Sequence, residues 1–492
     1  MHAAQTTRFQ HYIGGRYQPP HSGQWFPSTN PYTGQVWAEI ARGDGTDVDR
    51  AVAAARDAAP GWSRTPASER GRMLLRLADA LELQADALAA LEVRDNGKLL
   101  AEMRGQMHYL PSWYRYYAGL ADKVEGGVIP MDKPGYFTYT TWEALGVVGI
   151  IVPWNSPLLL LGWKLAPALA AGNTVVIKPS EFTSASALEF MKIIEQAGIP
   201  DGVVNVVTGF GAEAGQSLVD HPDVAKIAFT GSDATGRDVY QQVARGIKRV
   251  TLELGGKSPN IVFADADLDE AIDGVISGIF AATGQTCLAG SRLLVQDTIH
   301  DAVIDRLTEV AQAAVLGDPM QPATQVGPIA TEPQYRKVLQ YLDIGLREGA
   351  RPVAGGRAAT TAGGWFIQPT VFTDVTNDMR IAREEIFGPV LSVLRFTDEA
   401  EALAIANDTP FGLAAGVWTT DLSRAFRMAD GLQAGTVWVN TYRASSYLAP
   451  FGGYKQSGFG REGGSEMIKE YLQSKTVWMN VGAEVVNPFV QR

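Results

Sequence analysis

Five short strand-like runs between residues 146 and 254 constrain the fold more than any other feature of the chain. They read GVVGIIV (Gly146 to Val152), NTVVIK (Asn173 to Lys178), VVNVV (Val203 to Val207), VAKIAFT (Val224 to Thr230) and RVTLEL (Arg249 to Leu254). Helical stretches lie between several of them, such as Ser184 to Ala197 and Thr235 to Ala244. Short β-rich runs alternating with helices predict an α/β fold with a parallel sheet covered on both sides. Ligands of such sheets bind at the carboxyl ends of the strands. That singles out Asn155, Lys178, Glu181, Gly231, Ser232 and Glu253.

A second α/β unit begins near Lys257, with NIVFAD, a helix from Leu268 to about Ala282, a strand from Arg292, and a helix to about Val315. Gln334 to Glu348, Ala402 to Asn407 and Leu422 to Asp430 read as helices; Thr370 to Phe372, Val390 to Phe396 and Gly435 to Asn440 read as strands. Upstream, residues 1–46 read as an extended polar arm with turns at Gly14-Gly15 and Asn30-Pro31. Helices follow from about Val48 to Gly61 and Ala67 to Val93, then an aromatic packed helix around Tyr109 to Tyr117. Two β-prone runs, Tyr136 to Glu143 and Lys475 to Val481, fit neither unit; they can pair with each other or across a subunit boundary. The loop from Thr441 to Gly460 is long and rich in Gly, Ser and Tyr, a composition that marks functional or mobile segments.

Composition narrows the function. At 52.9 kDa the chain exceeds what one core supports, so two or three domains are expected. A net charge of −11 with no run of Lys or Arg argues against nucleic acid and anionic membrane as partners. Apolar runs are cut by Pro153, Asn155 and Pro157 well before the roughly 18 residues a membrane span needs. The opening residues lack an apolar h-region, so no signal peptide is expected. A single cysteine excludes an intrachain disulfide framework and fits a reducing, cytoplasmic location. With one cysteine, six histidines and no H-x-x-x-H, no metal site is expected.

That cysteine, Cys287, lies in FAATGQTCLAGSR between a predicted helix and a predicted strand. Small and polar neighbours suit an accessible nucleophile; a buried inert thiol filling a gap is the plain alternative. Glu253 ends a strand before Gly255-Gly256, where a carboxyl beside a cavity could act as general base. FTGSDATG starts a helix at Gly231-Ser232, which suits a phosphate or an ordinary serine cap. Lys178 and Glu181 could hold ribose hydroxyls, with Glu181 disfavouring a 2′-phosphate, or form a surface ion pair.

Taken together, these residues resemble the aldehyde dehydrogenase superfamily over nearly the whole chain. ELGGKSPN (Glu253 to Asn260) is similar to its glutamate signature and GQTCLAGSR (Gly284 to Arg292) to its cysteine signature. PWNSP, KPSE, FTGS, EEIFGPV and PFGGYKQSGFGRE follow the family's order. The resemblance implies a dinucleotide-binding domain (1–122 and 145–256), a catalytic domain (257–469) and a β bridge (123–144 and 470–492) used in homodimers or homotetramers. It also implies NAD as cofactor, a small aldehyde as substrate, and the hydrolytic branch rather than the CoA-acylating one.

The roles it implies are specific. Cys287 is the expected nucleophile, Asn155 the oxyanion donor, Glu253 the water-activating base, and Lys164 and Glu462 a proton relay. Trp154, Lys178, Glu181, Gly231, Ser232, Leu254, Glu385 and Phe387 are the expected NAD contacts. The substrate pocket is expected from Ser156, Trp163, Thr286, Leu288, Ser445 and Phe451, with Arg443 and Tyr447 at its entrance. Ser156 and Ser445 stand where aromatic residues are common in the family. The alternatives are a CoA-acylating semialdehyde dehydrogenase, which typically lacks a glutamate at position 253, and a non-enzymatic NAD-binding relative.

Overall fold

The computed structural model describes residues 7–360, 363–485 and 487–489. The first six residues of the expected arm, and positions 486 and 490–492 of the expected bridging segment, lie outside the described residues. All five early runs become strands of one eight-stranded sheet. Across it lie Gly458–Phe459, Arg249–Glu253, Val224–Thr230, Val147–Ile151, Thr174–Lys178, Val204–Val206, His11–Ile13 and Arg16–Gln18. The five central strands are parallel. From Val147–Ile151 the chain builds outward first through Thr174–Lys178, then on the other side through Val224–Thr230. The order therefore reverses between Val147–Ile151 and Val224–Thr230. Connections leaving the two strands in opposite directions open a crevice at their carboxyl ends.

A seven-stranded sheet carries the second unit, in the order Arg351–Ala354, Thr370–Thr373, Val390–Phe396, Arg292–Gln296, Pro259–Val262, Ala414–Trp418 and Thr436–Val439. Only Arg351–Ala354 runs antiparallel. The two unplaced β-prone runs pair with each other within the chain, Leu472–Asn480 against Tyr136–Ala144, in continuous antiparallel register from Leu472 opposite Ala144 to Asn480 opposite Tyr136.

Three parts differ from the sequence reading. Residues 7–41 are not a polar arm: they form five short strands, and His11–Ile13 is buried beside Val204–Val206 toward one edge of the large sheet. Three of the five are only three residues long, too short to show a period. The helix Pro157–Ala170 is not expected from the sequence, because PLLLLGWKLAPALA is apolar on every side and shows no amphipathic stripe. Its residues are almost all buried, and Pro157 occupies the first turn, where a missing N–H costs nothing. Third, Gly458–Phe459 leaves the long loop to pair antiparallel with Arg249–Glu253. Among the described residues no helix is long and apolar enough to cross a membrane, and no group of His, Cys, Asp and Glu could hold a metal ion.

Candidate active site

The strand Val147–Ile151 delivers Asn155 to the crevice, and the helix Pro157–Ala170 that follows fixes it there. Asn155 is buried; its Nδ2 donates to the Gln285 carbonyl at 3.1 Å, and its Oδ1 has no partner. Gln285 precedes the thiol by two positions, so the amide is tied to the turn that carries Cys287. That turn is unusual. Ala282 and Thr283 both have φ of 54°, a left-handed conformation that side chains seldom adopt. The neighbourhood holds them there. Ala282 N–H donates to Glu102 Oε1 at 2.6 Å, Thr283 Oγ1 donates to the Gly327 carbonyl at 3.2 Å, and Gln285 Oε1 accepts from Ala330 N–H at 2.8 Å.

Cys287 is half-buried, flanked by half-buried Thr286 and Leu288. Burial pushes its thiol up to about 12, helped by the nearby carboxyls of Glu253 and Glu385. At neutral pH it is a thiol, so attack through sulfur needs a proton acceptor. Glu253 ends the strand Arg249–Glu253, and both its carboxyl oxygens are buried without a partner. Burial raises its pKa well above the usual carboxylate range, the charge of Glu462 adds to this, and Lys164 and Arg461 oppose it. A carboxyl in that condition is suited to taking up a proton. The segment after it lies close to the nucleophile: a Cβ on Gly256 would stand 2.9 Å from the Cys287 carbonyl oxygen, so only glycine fits.

Lys164 Nζ lies 2.5 Å from Glu462 Oε1, with neither side chain reaching solvent. Lys164 comes from the helix Pro157–Ala170, and Glu462 from a loop pinned by two 2.7 Å backbone bonds with Phe451.

One cleft contains Cys287 and Asn155 together with Trp154, Gly231, Ser232, Leu254, Glu385 and Phe387. Ser232 Oγ accepts from Thr235 N–H at 3.3 Å and caps the helix Asp233–Arg245, whose free N–H groups suit a phosphate. Glu385 Oε1 accepts from Gly256 N–H at 3.0 Å, and burial raises its carboxyl to about 7. Trp154 and Phe387 meet edge to face at 5.2 Å. Lys178 and Glu181 are outside that cleft's lining, paired at 3.1 Å, with Lys178 buried. A helix start, a half-buried carboxyl and a Lys–Glu pair are the groups a dinucleotide needs for pyrophosphate and two riboses, so the residues present fit that cofactor.

Trp163, on the helix Pro157–Ala170, stacks on Trp113 at 4.8 Å and meets Phe451 at 5.7 Å. Tyr447 packs near Trp113 at 6.4 Å, and Arg443 Nη1 donates to the Ser277 carbonyl at 3.1 Å. Ser156 is buried, whereas Ser445 is exposed on the loop. Trp113, Glu102 and Lys98 also belong to this region, and sequence reasoning does not pick them out. The aromatic cluster around Tyr109 to Tyr117 is the available signal for the first; nothing local marks the other two.

The aldehyde dehydrogenase family model matches residues 17–477. A curated relative, (Z)-2-((N-methylformamido)methylene)-5-hydroxybutyrolactone dehydrogenase of Acinetobacter baylyi, is 47% identical over 489 residues, covering 99% of this chain and 100% of the relative. The chain is also similar to an NAD+ complex of an aldehyde dehydrogenase from Bacillus cereus: TM-score 0.95, 45% identity, 96% and 97% of the two chains covered. For betaine aldehyde dehydrogenase from Staphylococcus aureus in complex with NAD+, the TM-score is 0.97 at 38% identity, with 98% and 96% covered. The chain belongs to the aldehyde dehydrogenase family.

Proposed function

We propose that this protein oxidises a medium-sized apolar, aromatic or semialdehyde substrate to the carboxylic acid with NAD, through a thiohemiacetal on Cys287. The observation that carries the reading is the convergence of Cys287, Asn155 and the cofactor-type groups on one cleft, with the orphaned Glu253 carboxyl close enough to raise the thiol pKa. Cys287 Sγ attacks the aldehyde carbon and gives its proton up, for which Glu253 is the acceptor. The Asn155 amide stabilises the oxyanion that forms; removing one such donor typically costs about 3 kcal/mol. When bound, NAD supplies the hydride acceptor that leaves a thioester on Cys287. Glu253 first passes the thiol proton on through the buried Lys164–Glu462 pair, then takes a proton from a water whose oxygen attacks the thioester carbon; the C–S bond breaks, and the acid and the Cys287 sulfur are freed.

Trp154, Gly231, Ser232 and Leu254 would hold the pyrophosphate region, Lys178 and Glu181 the adenosine ribose, and Glu385 with Phe387 the nicotinamide end. Ser156, Trp163, Thr286, Leu288 and Phe451 would form the substrate wall. We assign dinucleotide binding to residues 1–122 and 145–256, catalysis to 257–469, and homodimer or homotetramer contacts to the bridge at 123–144 and 470–492. A reducing, cytoplasmic location suits the single free thiol. The test is a broad aldehyde panel with NAD and no CoA. NADH and free acid in equal amounts are expected; turnover that requires added CoA and gives acyl-CoA as the only product would establish the acylating alternative.

A further inference from the structure

Cys287 is carried on a turn that its own helix does not extend to. The helix Leu268–Ile279 ends with Phe280 N–H donating to the Ile276 carbonyl. Further helix would give the Gly278 carbonyl to Ala282 N–H, but that carbonyl accepts from Gly290 N–H at 3.0 Å. The N–H of Ala282 leaves the helix and donates instead to Glu102 Oε1 at 2.6 Å, from a segment 180 positions away in the chain. Ala282 and the β-branched Thr283 then both take φ of 54°. Left-handed backbone is disfavoured for any side chain and most for a branched one, so such a turn persists only where its surroundings hold it.

Those surroundings act from two sides. Thr283 Oγ1 and the Gln285 side chain bond the segment 327–330, with Gln285 Nε2 donating to the Pro328 carbonyl at 3.3 Å. Glu102 holds the other side. It lies in the first turn of the helix Leu100–Leu120, whose start is pinned by Leu100 N–H donating to the Pro319 carbonyl at 2.9 Å. The buried ammonium of Lys98 faces the Glu102 carboxyl, and Lys98 Nζ donates to Ser156 Oγ at 2.9 Å, next to Asn155. Residues 98–102 therefore reach both halves of the reaction centre, the oxyanion side through Ser156 and the nucleophile's turn through Ala282. The second carboxyl oxygen of Glu102 is buried without a partner. An unpaired buried oxygen costs stability, so packing alone does not account for an acid there. Glu102 is outside the lining of the cleft that holds Cys287, so its effect on the chemistry passes through the turn.

We propose that Glu102 is a positioning residue for the nucleophile: its bond to Ala282 N–H holds the left-handed turn that sets Cys287 against the Asn155 amide. The inference rests on the aldehyde-oxidation reading and names what makes the thiol attack efficient.

The experiment follows NADH in a single turnover, with enzyme and NAD in excess over aldehyde. The proteins are the wild-type chain, Glu102→Gln, Glu102→Leu, Ala282→Gly, and Glu102→Leu combined with Ala282→Gly. Glu102→Gln loses the acid but keeps an oxygen acceptor, and should stay within about threefold of wild type; Glu102→Leu keeps the bulk without an acceptor and should be slower by about tenfold or more. Glycine adopts φ of 54° without steric cost, so Ala282→Gly should recover most of the loss in the combined variant. A residue that only supports the fold would show no such recovery. Hydrogen exchange without NAD is the second readout: residues 280–287 should exchange faster in Glu102→Leu and as in wild type in Glu102→Gln. If Glu102→Leu does not fold, Glu102→Ala takes its place in the same comparisons. An undiminished rate in Glu102→Leu, or a loss that Ala282→Gly does not recover, would overturn the proposal. No NADH from the wild type with any aldehyde would defeat the aldehyde-oxidation reading as well; an active wild type with an equally fast Glu102→Leu would defeat only this inference.

Discussion

Lys164 Nζ and Glu462 Oε1 meet at 2.5 Å in a part of the protein that water does not reach, and both bear on the charge of Glu253. Removing one partner strands the other. Lys164→Met should therefore destabilise the fold by about 3–5 kcal/mol. The double variant Lys164→Met with Glu462→Gln should recover much of that loss. Denaturant midpoints across the four proteins of the cycle give the coupling. Additive losses would mean that the pair does not act as a unit.

Glu253 shows how activity and stability oppose each other. Its folded pKa lies above its unfolded value, so the folded state binds the extra proton. The stability this contributes is complete below the unfolded pKa, about 4.3, and is lost as pH rises toward the folded value. Glu253→Gln removes that loss. The variant should be more stable than wild type at neutral pH and show a flatter decline as pH rises. Thermal melts across pH check this. Acid release in the wild type should rise with pH through an inflection above the ordinary carboxylate range, and that inflection should vanish in Glu253→Gln.

Gly458 positions Glu253 from the far side of the strand. The two are register partners, Gly458 has φ of 113°, and a Cβ there would lie 1.9 Å from the Leu252 carbonyl oxygen. Gly458→Ala must displace that backbone. We expect a stability loss on the order of 3 kcal/mol and slower acid release. An unchanged midpoint would show that the edge pairing yields freely.

Much of this site is legible in the amino-acid sequence, and the reasons are physical. Cys287, Glu253 and Asn155 stand at the ends of strands or helices whose apolar runs are long enough to read, and the sheet topology brings such ends together. The parallel strand Val147–Ile151 is clear because burial on both faces leaves an unbroken apolar run. Lys98 is not legible, since a lysine after a helix usually points to solvent and only the fold buries it. The helix Pro157–Ala170 escapes for the opposite reason: total burial erases the period that announces a helix. The strands Leu472–Asn480 and Tyr136–Ala144 can be read as two β-prone runs, but pattern alone leaves their partner open between each other and a second subunit. Only the fold brings together segments so far apart in the chain.

Glu181, paired with Lys178 at 3.1 Å, should set the choice of cofactor. A carboxylate beside the ribose repels a 2′-phosphate, so NAD should be used far better than NADP. Glu181→Gln should narrow the difference in kcat/KM by about tenfold or more. Equal use of both by the wild type would show that Glu181 does not face the adenosine ribose.

The most direct test of the account separates the labour of Cys287 from that of Glu253. Each variant is mixed rapidly with NAD and a good aldehyde substrate, and NADH is followed from the first milliseconds. Cys287→Ala should yield no NADH in either phase, since no adduct can form. Glu253→Gln should yield a burst approaching one equivalent per site, followed by a stall at the thioester. A slower burst would fit a share for Glu253 in accepting the thiol proton. Steady turnover of Glu253→Gln at the wild-type rate would contradict the assignment of Glu253, and a burst in Cys287→Ala would contradict that of Cys287.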